Sequence, residues 1–284
     1  MLYERWRQIV KENRDDLALC NAASGQQWTF GQLDAAAGKA ATTTDPIVYP
    51  SGICAEFIFA VLGAWRAGQA VCPLEGQAPR QFSRLPPGCV HLKTTSATTG
   101  APRMIAFRAE QLMADSDNIV LTMGLRPDWP NLGVISLAHS YGFSNLITPL
   151  LLHGIPLILA DSPLPEAVRR AAAAAANITL PAVPALWRAW HEAGAIPPNA
   201  RLAISAGAPL PLPLEQAIFD LRTTLPRFRA PTRPVWAARC GTFTSPSMRT
   251  AASKSAAAPL ARPTGRTRNP TWRRAFIAPA TWRS

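Results

Sequence analysis

From Leu221 to Ser284 the chain contains no aspartate and no glutamate, only 12 arginines and one lysine on a background of proline, alanine, threonine and serine. Prolines recur there too often for a regular helix or a central strand, and no period of 3.6 or 2.0 is sustained. Cysteine is scarce as well. Cys20, Cys54, Cys72, Cys89 and Cys240 have neither metal-ligand spacing nor the even count of a disulfide framework, which fits reduced thiols in a cytoplasmic protein. No apolar run reaches membrane-spanning length. The nearest approach, Leu146 to Ala160, is divided by His153, Gly154 and Pro156 into helix, turn and strand. The amino terminus, Met1-Leu-Tyr-Glu-Arg-Trp-Arg-Gln, is charged and has no secretory apolar stretch.

Charge is distributed unevenly. The whole chain carries +12, with a pI near 10.5, yet residues 1 to 220 hold 16 basic against 17 acidic side chains. A high pI ordinarily suggests nucleic acid or an anionic membrane as partner. Here the basic residues scatter between prolines behind a neutral domain, so no specific nucleic-acid partner is expected. Nonspecific, salt-sensitive RNA binding by the tail stays physically open. The expected organisation is a patterned domain over residues 1–220 and a basic Pro/Ala/Arg-rich tail over 221–284, disordered by composition.

Within the first 220 residues, strands and helices alternate, as expected of an α/β fold with layered, mostly parallel sheets flanked by helices. Strands are predicted near 47–49, 70–73, 89–92, 104–107, 132–136, 157–160 and 202–205. Helices are predicted near 30–41, 53–67, 109–121, 143–153, 166–176 and 184–193, with the six alanines Ala171 to Ala176 inside one of them. Thr29 with Gln32 makes a capping box, and Phe57, Ala60, Val61 and Ala64 form an apolar stripe.

Between two of the strands lies Lys93-Thr-Thr-Ser-Ala-Thr-Thr-Gly-Ala-Pro-Arg103. Its hydroxyls, Thr95, Ser96, Thr98 and Thr99, suit anionic oxygens, Gly100 permits close approach, and Arg103 adds a charged clamp. It is not a Walker A sequence. A solvated Ser/Thr turn is the simpler alternative.

Thr95-Ser-Ala-Thr-Thr-Gly-Ala-Pro-Arg103 resembles the phosphate loop of the adenylate-forming superfamily: the acyl-CoA synthetases, luciferases and peptide-synthetase adenylation domains. Ala97 and Met104 stand where that signature has glycine, and Arg103 where it has lysine. Trp28-Thr-Phe-Gly-Gln-Leu33, Phe57 to Leu74, Ala138-His-Ser-Tyr-Gly142 and Ala203-Ile-Ser-Ala-Gly-Ala-Pro-Leu210 resemble further family elements in the expected order, covering about residues 25 to 219.

The resemblance implies the large amino-terminal domain of an enzyme that activates a carboxylic acid with ATP as an acyl adenylate and passes the acyl group to a thiol, of CoA or of a carrier protein. ATP and Mg2+ are the implied cofactors. Thr95, Ser96, Thr98, Thr99, Gly100 and Arg103 would hold the phosphates, and Gly207, Ala208 and Pro209 would form the adenine-side turn. His139 would wall the acyl site or, on the simpler reading, cap the following helix. No catalytic residue is fixed, and no metal ligand is identified.

After that turn the family has an aromatic-Gly-x-Thr-Glu motif, whose glutamate serves magnesium, and a Tyr-x-Thr-Gly-Asp motif. Neither occurs here, nor does the family's carboxy-terminal domain with its lysine. The tail from Leu221 has the composition of an out-of-frame reading of a G+C-rich gene, with the switch between about Phe219 and Arg227; a natural basic tail is the alternative. The chain is therefore expected to be an incomplete and inactive adenylation domain. A noncatalytic nucleotide-binding remnant and a basic RNA-associated protein are the competing readings.

Overall fold

A computed structural model describes residues 1–39, 44–76, 85–94, 104–223 and 275–276. The chain opens with helix α1 (Leu2–Asn13), followed by the antiparallel pair β1 (Leu17–Asn21) and β2 (Gln27–Thr29) and by α2 (Phe30–Lys39). The predicted capping box starts α2. Gln32 N donates to Thr29 Oγ1 at 3.2 Å, and Thr29 N donates back to Gln32 Oε1 at 2.9 Å.

A four-stranded sheet follows, in the order β3 (Ile47–Val48), β4 (Ala70–Val71), β5 (Cys89–Thr94), β6 (Met104–Arg108). Its first three strands are parallel and β6 returns antiparallel. Helix α3 (Ala55–Ala67) connects β3 to β4 and turns Phe57, Val61 and Ala64 inward as predicted. Ile58, Leu62 and Trp65 widen that face, while Ala60 is only half-buried.

Helix α4 (Ala109–Met123) then leads to the second sheet. Its remaining elements are β7 (Asn131–Gly133), the short α5 (Ser140–Gly142), a π-helical turn (Phe143–Ile147), α6 (Thr148–His153), β8 (Leu157–Leu159), α7 (Pro165–Ala172), β9 (Ile178–Ala182), α8 (Pro184–Glu192), β10 (Ala200–Ser205) and α9 (Leu212–Thr223). Strand order is β11-β10-β9-β7-β8-β1-β2, where β11 is Ala275–Phe276, and every pair except β1 with β2 is parallel. The fold class is thus α/β with two mainly parallel sheets, as the alternation of patterns implied.

One apolar core runs between the sheets. It joins α1 (Trp6), α2 (Phe30, Leu33) and α3 to the fully buried Phe143, Leu146, Leu150 and Leu151, and to Trp187 and Trp190 of α8. Large apolar areas removed from water, at about 25 cal/mol per Å², are the main favourable term for such a domain.

Some boundaries differ from expectation. The alanine run is helical only to Ala172, because Asn199 Nδ2 donates to Ala172 O (2.8 Å) and Ala175 O (2.7 Å) and draws the chain off toward β9. The predicted helix 143–153 begins as a π-helical turn. In the tail one element is described, β11, which pairs in parallel with β10 at Ile204 and Ser205. Among the described residues no helix is long and apolar enough to cross a membrane.

Candidate functional site

The carboxyl ends of parallel strands form a crevice where ligands of open α/β sheets bind. Two segments singled out in the sequence meet here, the end of β5 at Lys93 and the turn around His139, and β10, which leads into the third, is tied to the second through Tyr141.

The phosphate-loop residues Thr95, Ser96, Thr98, Thr99, Gly100 and Arg103 lie outside the described residues. Their two anchors do not. β5 and β6 pair in register up to Thr94↔Met104, so the loop springs from a hairpin whose stem is fixed. At the stem, Lys93 Nζ donates to Ser144 Oγ at 3.0 Å, and Ser144 Oγ donates to Asp115 Oδ2 at 2.9 Å. The Lys93–Asp115 separation is 4.0 Å. Burial lowers the Lys93 pKa from the ordinary lysine value, and Asp115 works in the opposite direction. One strand step away on the same face, His91 is 1% exposed and stacks on Phe143 with ring centroids 4.2 Å apart. Burial, then the charge of Lys93, pushes its pKa down to about 3, so it is a neutral ring in the core.

His139 is exposed and stands at the amino cap of α5, where its Nδ1 accepts from Tyr141 N at 3.3 Å. The capping reading therefore describes its contacts. It also lines a pocket of about 60 Å³ with Pro73, Glu75, Leu92, Lys93, Ala138 and Ser140. Small-molecule sites commonly measure about 300–1,000 Å³, so these described residues supply one part of a wall.

The His139 segment is held by two features the sequence did not announce. Tyr141 OH lies between two carbonyl oxygens, Ala182 O at 3.4 Å and Ile204 O at 3.3 Å, which ties α5 to the ends of β9 and β10. Burial raises the Tyr141 pKa, so the phenol stays protonated. Gly142 packs so closely on the chain before it that a Cβ would sit 1.9 Å from Ser136 O. A residue with a side chain does not fit there.

Beyond β10, Gly207 has φ +91°, and Gly207, Ala208 and Pro209 are exposed. That conformation strains any residue but glycine, and it turns the backbone outward at the strand end. Ala206 N donates to Ala182 O at 3.3 Å, which closes the turn onto β9. The predicted adenine-side residues are therefore an open turn, linked through Ile204 and Ala182 to the His139 segment.

Among the described residues no three His, Cys, Asp or Glu side chains gather as a metal site. Glu75 is the one carboxylate among the lining residues of the small crevice, whereas magnesium is usually held by one or two carboxylates together with phosphate oxygens.

Residues 89–227 match the family model described as AMP-binding enzyme. No curated protein matches the chain in sequence. Among solved structures, the chain is similar to O-succinylbenzoate coenzyme A synthetase (MenE) from Bacillus subtilis in complex with AMP, at 17% identity and TM-score 0.64, covering 76% of this chain and 70% of that one. The same enzyme has been solved with the acyl-adenylate intermediate OSB-AMP; there the match covers 76% of this chain and 56% of that one, at TM-score 0.64 and 17% identity. The inhibitor-bound N-terminal domain of FACL13 from Mycobacterium tuberculosis is similar at 15% identity and TM-score 0.65, covering 78% and 73%. These likenesses concern the fold, and the family match covers the segment that supplies Leu92, Lys93, Ala138, His139 and Ser140 to the crevice. Residues 89–227 thus match the AMP-binding enzyme family, and the chain has a fold like that of MenE and of the N-terminal domain of FACL13.

Proposed function

We propose that the gene's intact reading frame specifies an enzyme that activates a carboxylic acid with ATP as an acyl adenylate and transfers the acyl group to a thiol of CoA or a carrier protein. The observation that carries this reading is the meeting of the Lys93 stem and the His139 segment at one crevice, with the strand end before the Gly207 turn tied to the His139 segment through Tyr141, in a chain whose residues 89–227 match AMP-binding enzymes. The MenE complexes with AMP and with OSB-AMP support it by likeness of fold.

On this reading Thr95, Ser96, Thr98, Thr99, Gly100 and Arg103 bind the ATP phosphates, while Gly207, Ala208 and Pro209 lie against the adenine. His139 borders the acyl carboxylate. Phosphorus chemistry of this kind depends mainly on positioning and on neutralising charge. ATP would supply the adenylyl group, the carboxylate attacking the α-phosphorus as pyrophosphate leaves. Magnesium belongs to the proposal only through the family, and no step is assigned to it. A cytoplasmic location is part of the same proposal, supported by Cys20, Cys54, Cys72 and Cys89, none of which forms a disulfide.

The proposal also divides the chain. Residues 1–220 form a partial adenylation domain, and residues 221–284 come from a shifted reading frame, leaving the 284-residue chain without catalysis. Loss of every acid after Asp220, together with a family match that stops at residue 227, supports this division. The second reading, a noncatalytic nucleotide-binding remnant, is favoured by the same crevice if the frame is natural.

Resequencing the gene across the codons for Phe219 to Arg227 and translating all frames separates the two. A neighbouring frame encoding aromatic-Gly-x-Thr/Ser-Glu soon after the switch is expected. Absence of that motif from every frame, with the tail unchanged in independent isolates, would leave the remnant.

A further inference from the structure

Lys93 is an expensive residue for the fold to hold. Its side chain is 13% exposed and burial depresses its pKa. Its counter-charge is indirect, since Asp115 Oδ2 lies 4.0 Å away with the Ser144 hydroxyl bonded to both. An ammonium has three protons to donate. Among the described residues one goes to Ser144, and the nearest aromatic face, Phe107, is 4.9 Å from Nζ to ring centroid. Replacing both members of a buried ion pair by apolar side chains is often neutral for stability, so a pair held below the surface invites a second explanation. The surroundings give a cation at this position a further use: Lys93 lines the crevice beside His139, and the carboxylate lining that crevice, Glu75, would repel an anion entering unaided.

We propose that Lys93 is the oxyanion-holding residue of this crevice: its ammonium, seated on Ser144 and Asp115, receives an anionic oxygen of a carboxylate or phosphate ligand bordered by Leu92, Ala138 and His139. The inference deepens the acid-activation reading, on which both kinds of oxygen meet here, and it rests on that reading only for the identity of the ligand. His91, neutral and stacked on Phe143, supports the strand behind Lys93 and adds no competing charge.

The test is NMR of the full chain with its lysine Nζ groups labelled, titrated separately with acetate, inorganic phosphate and AMP, alongside the Lys93→Met variant. At least one anion is expected to shift the Lys93 resonance saturably. Lys93→Met should weaken that anion's binding at least about tenfold, the scale of a lost charge-assisted hydrogen bond. A saturable shift with acetate or phosphate but none with AMP would keep the Lys93 assignment and remove the nucleotide reading. AMP binding that leaves the Lys93 resonance unmoved and survives Lys93→Met would overturn the assignment and keep the nucleotide reading. No shift with any of the three anions also overturns it. Should Lys93→Met fail to fold, the wild-type titration decides alone.

Discussion

Gly142 shows how a single missing atom fixes the site. The distance of 1.9 Å between its ideal Cβ position and Ser136 O is far inside contact, and the obstacle is backbone rather than a flexible side-chain end. Gly142→Ala should therefore lower the stability of the domain by about 3 kcal/mol or more, at the upper end of overpacking costs. Denaturant titration of the variant against wild type measures this, and an unchanged midpoint would mean that the approach of α5 to Ser136 is wrong. The sequence offered Gly142 as part of a motif but could not show why it must be glycine, since the clash involves the backbone of a turn six residues earlier. His139 was more legible: its exposed cap contact with Tyr141 N is local and was one of the two roles expected for it. Lys93 begins the loop stretch, but its contacts depend on Asp115 and Ser144, which only the packing of α4 and the π-helical turn brings near.

At the scale of elements, local signals were readable and long-range ones were not. The Thr29–Gln32 capping box is written in four consecutive residues and is present as expected. Thr29→Ala should cost ~1 kcal/mol, the usual loss for a helix cap, measured by the same titration; no loss would show that α2 is held by packing alone. Helix α1 was passed over because its apolar positions Leu2, Trp6, Ile9 and Val10 sit among charges, and its anchoring is tertiary: Trp6 Nε1 donates to Asp34 Oδ1 at 2.8 Å. Strand β9 was missed because Pro181 argues against a central strand. It is accommodated because β7 pairs with β9 only at Asn131↔Thr179, so Pro181 lies past that pairing.

The seam between α1, α4 and α6 carries a pH dependence. Arg5 Nη2 donates to Asp117 Oδ1 at 2.7 Å, and His153 Nε2 lies 3.0 Å from the same oxygen. Burial, then the charge of Arg5, lowers the His153 pKa from 6.5 to about 4, with Asp117 opposing. Between those values the unfolded chain takes up a proton that the folded chain refuses. Stability contributed by neutral His153 is thus present above pH 6.5 and lost as pH falls toward about 4. Unfolding free energy measured from pH 7.5 to 4.5 should decline less steeply in His153→Gln than in wild type. Equal slopes would assign the decline to other groups, His91 first among them.

For the whole molecule, charge is divided near residue 220. Among the described residues the neutral first 220 build both sheets apart from the two-residue β11, and the arginine-rich remainder begins within α9. The fold class was legible because alternating strand and helix patterns force a parallel architecture. The crevice beside His139 was not, because its lining comes from segments distant in sequence. The central claim is that this fold activates an acid with ATP once its reading frame is intact, and acid-dependent exchange between ATP and pyrophosphate tests it most directly. The account predicts exchange by the frame-restored protein with at least one carboxylic acid, depression of that exchange when Thr98 and Thr99 are both changed to alanine, and no exchange above background by the 284-residue chain. Exchange by the 284-residue chain equal to that of the restored protein, or unchanged exchange after the double threonine substitution, would contradict it.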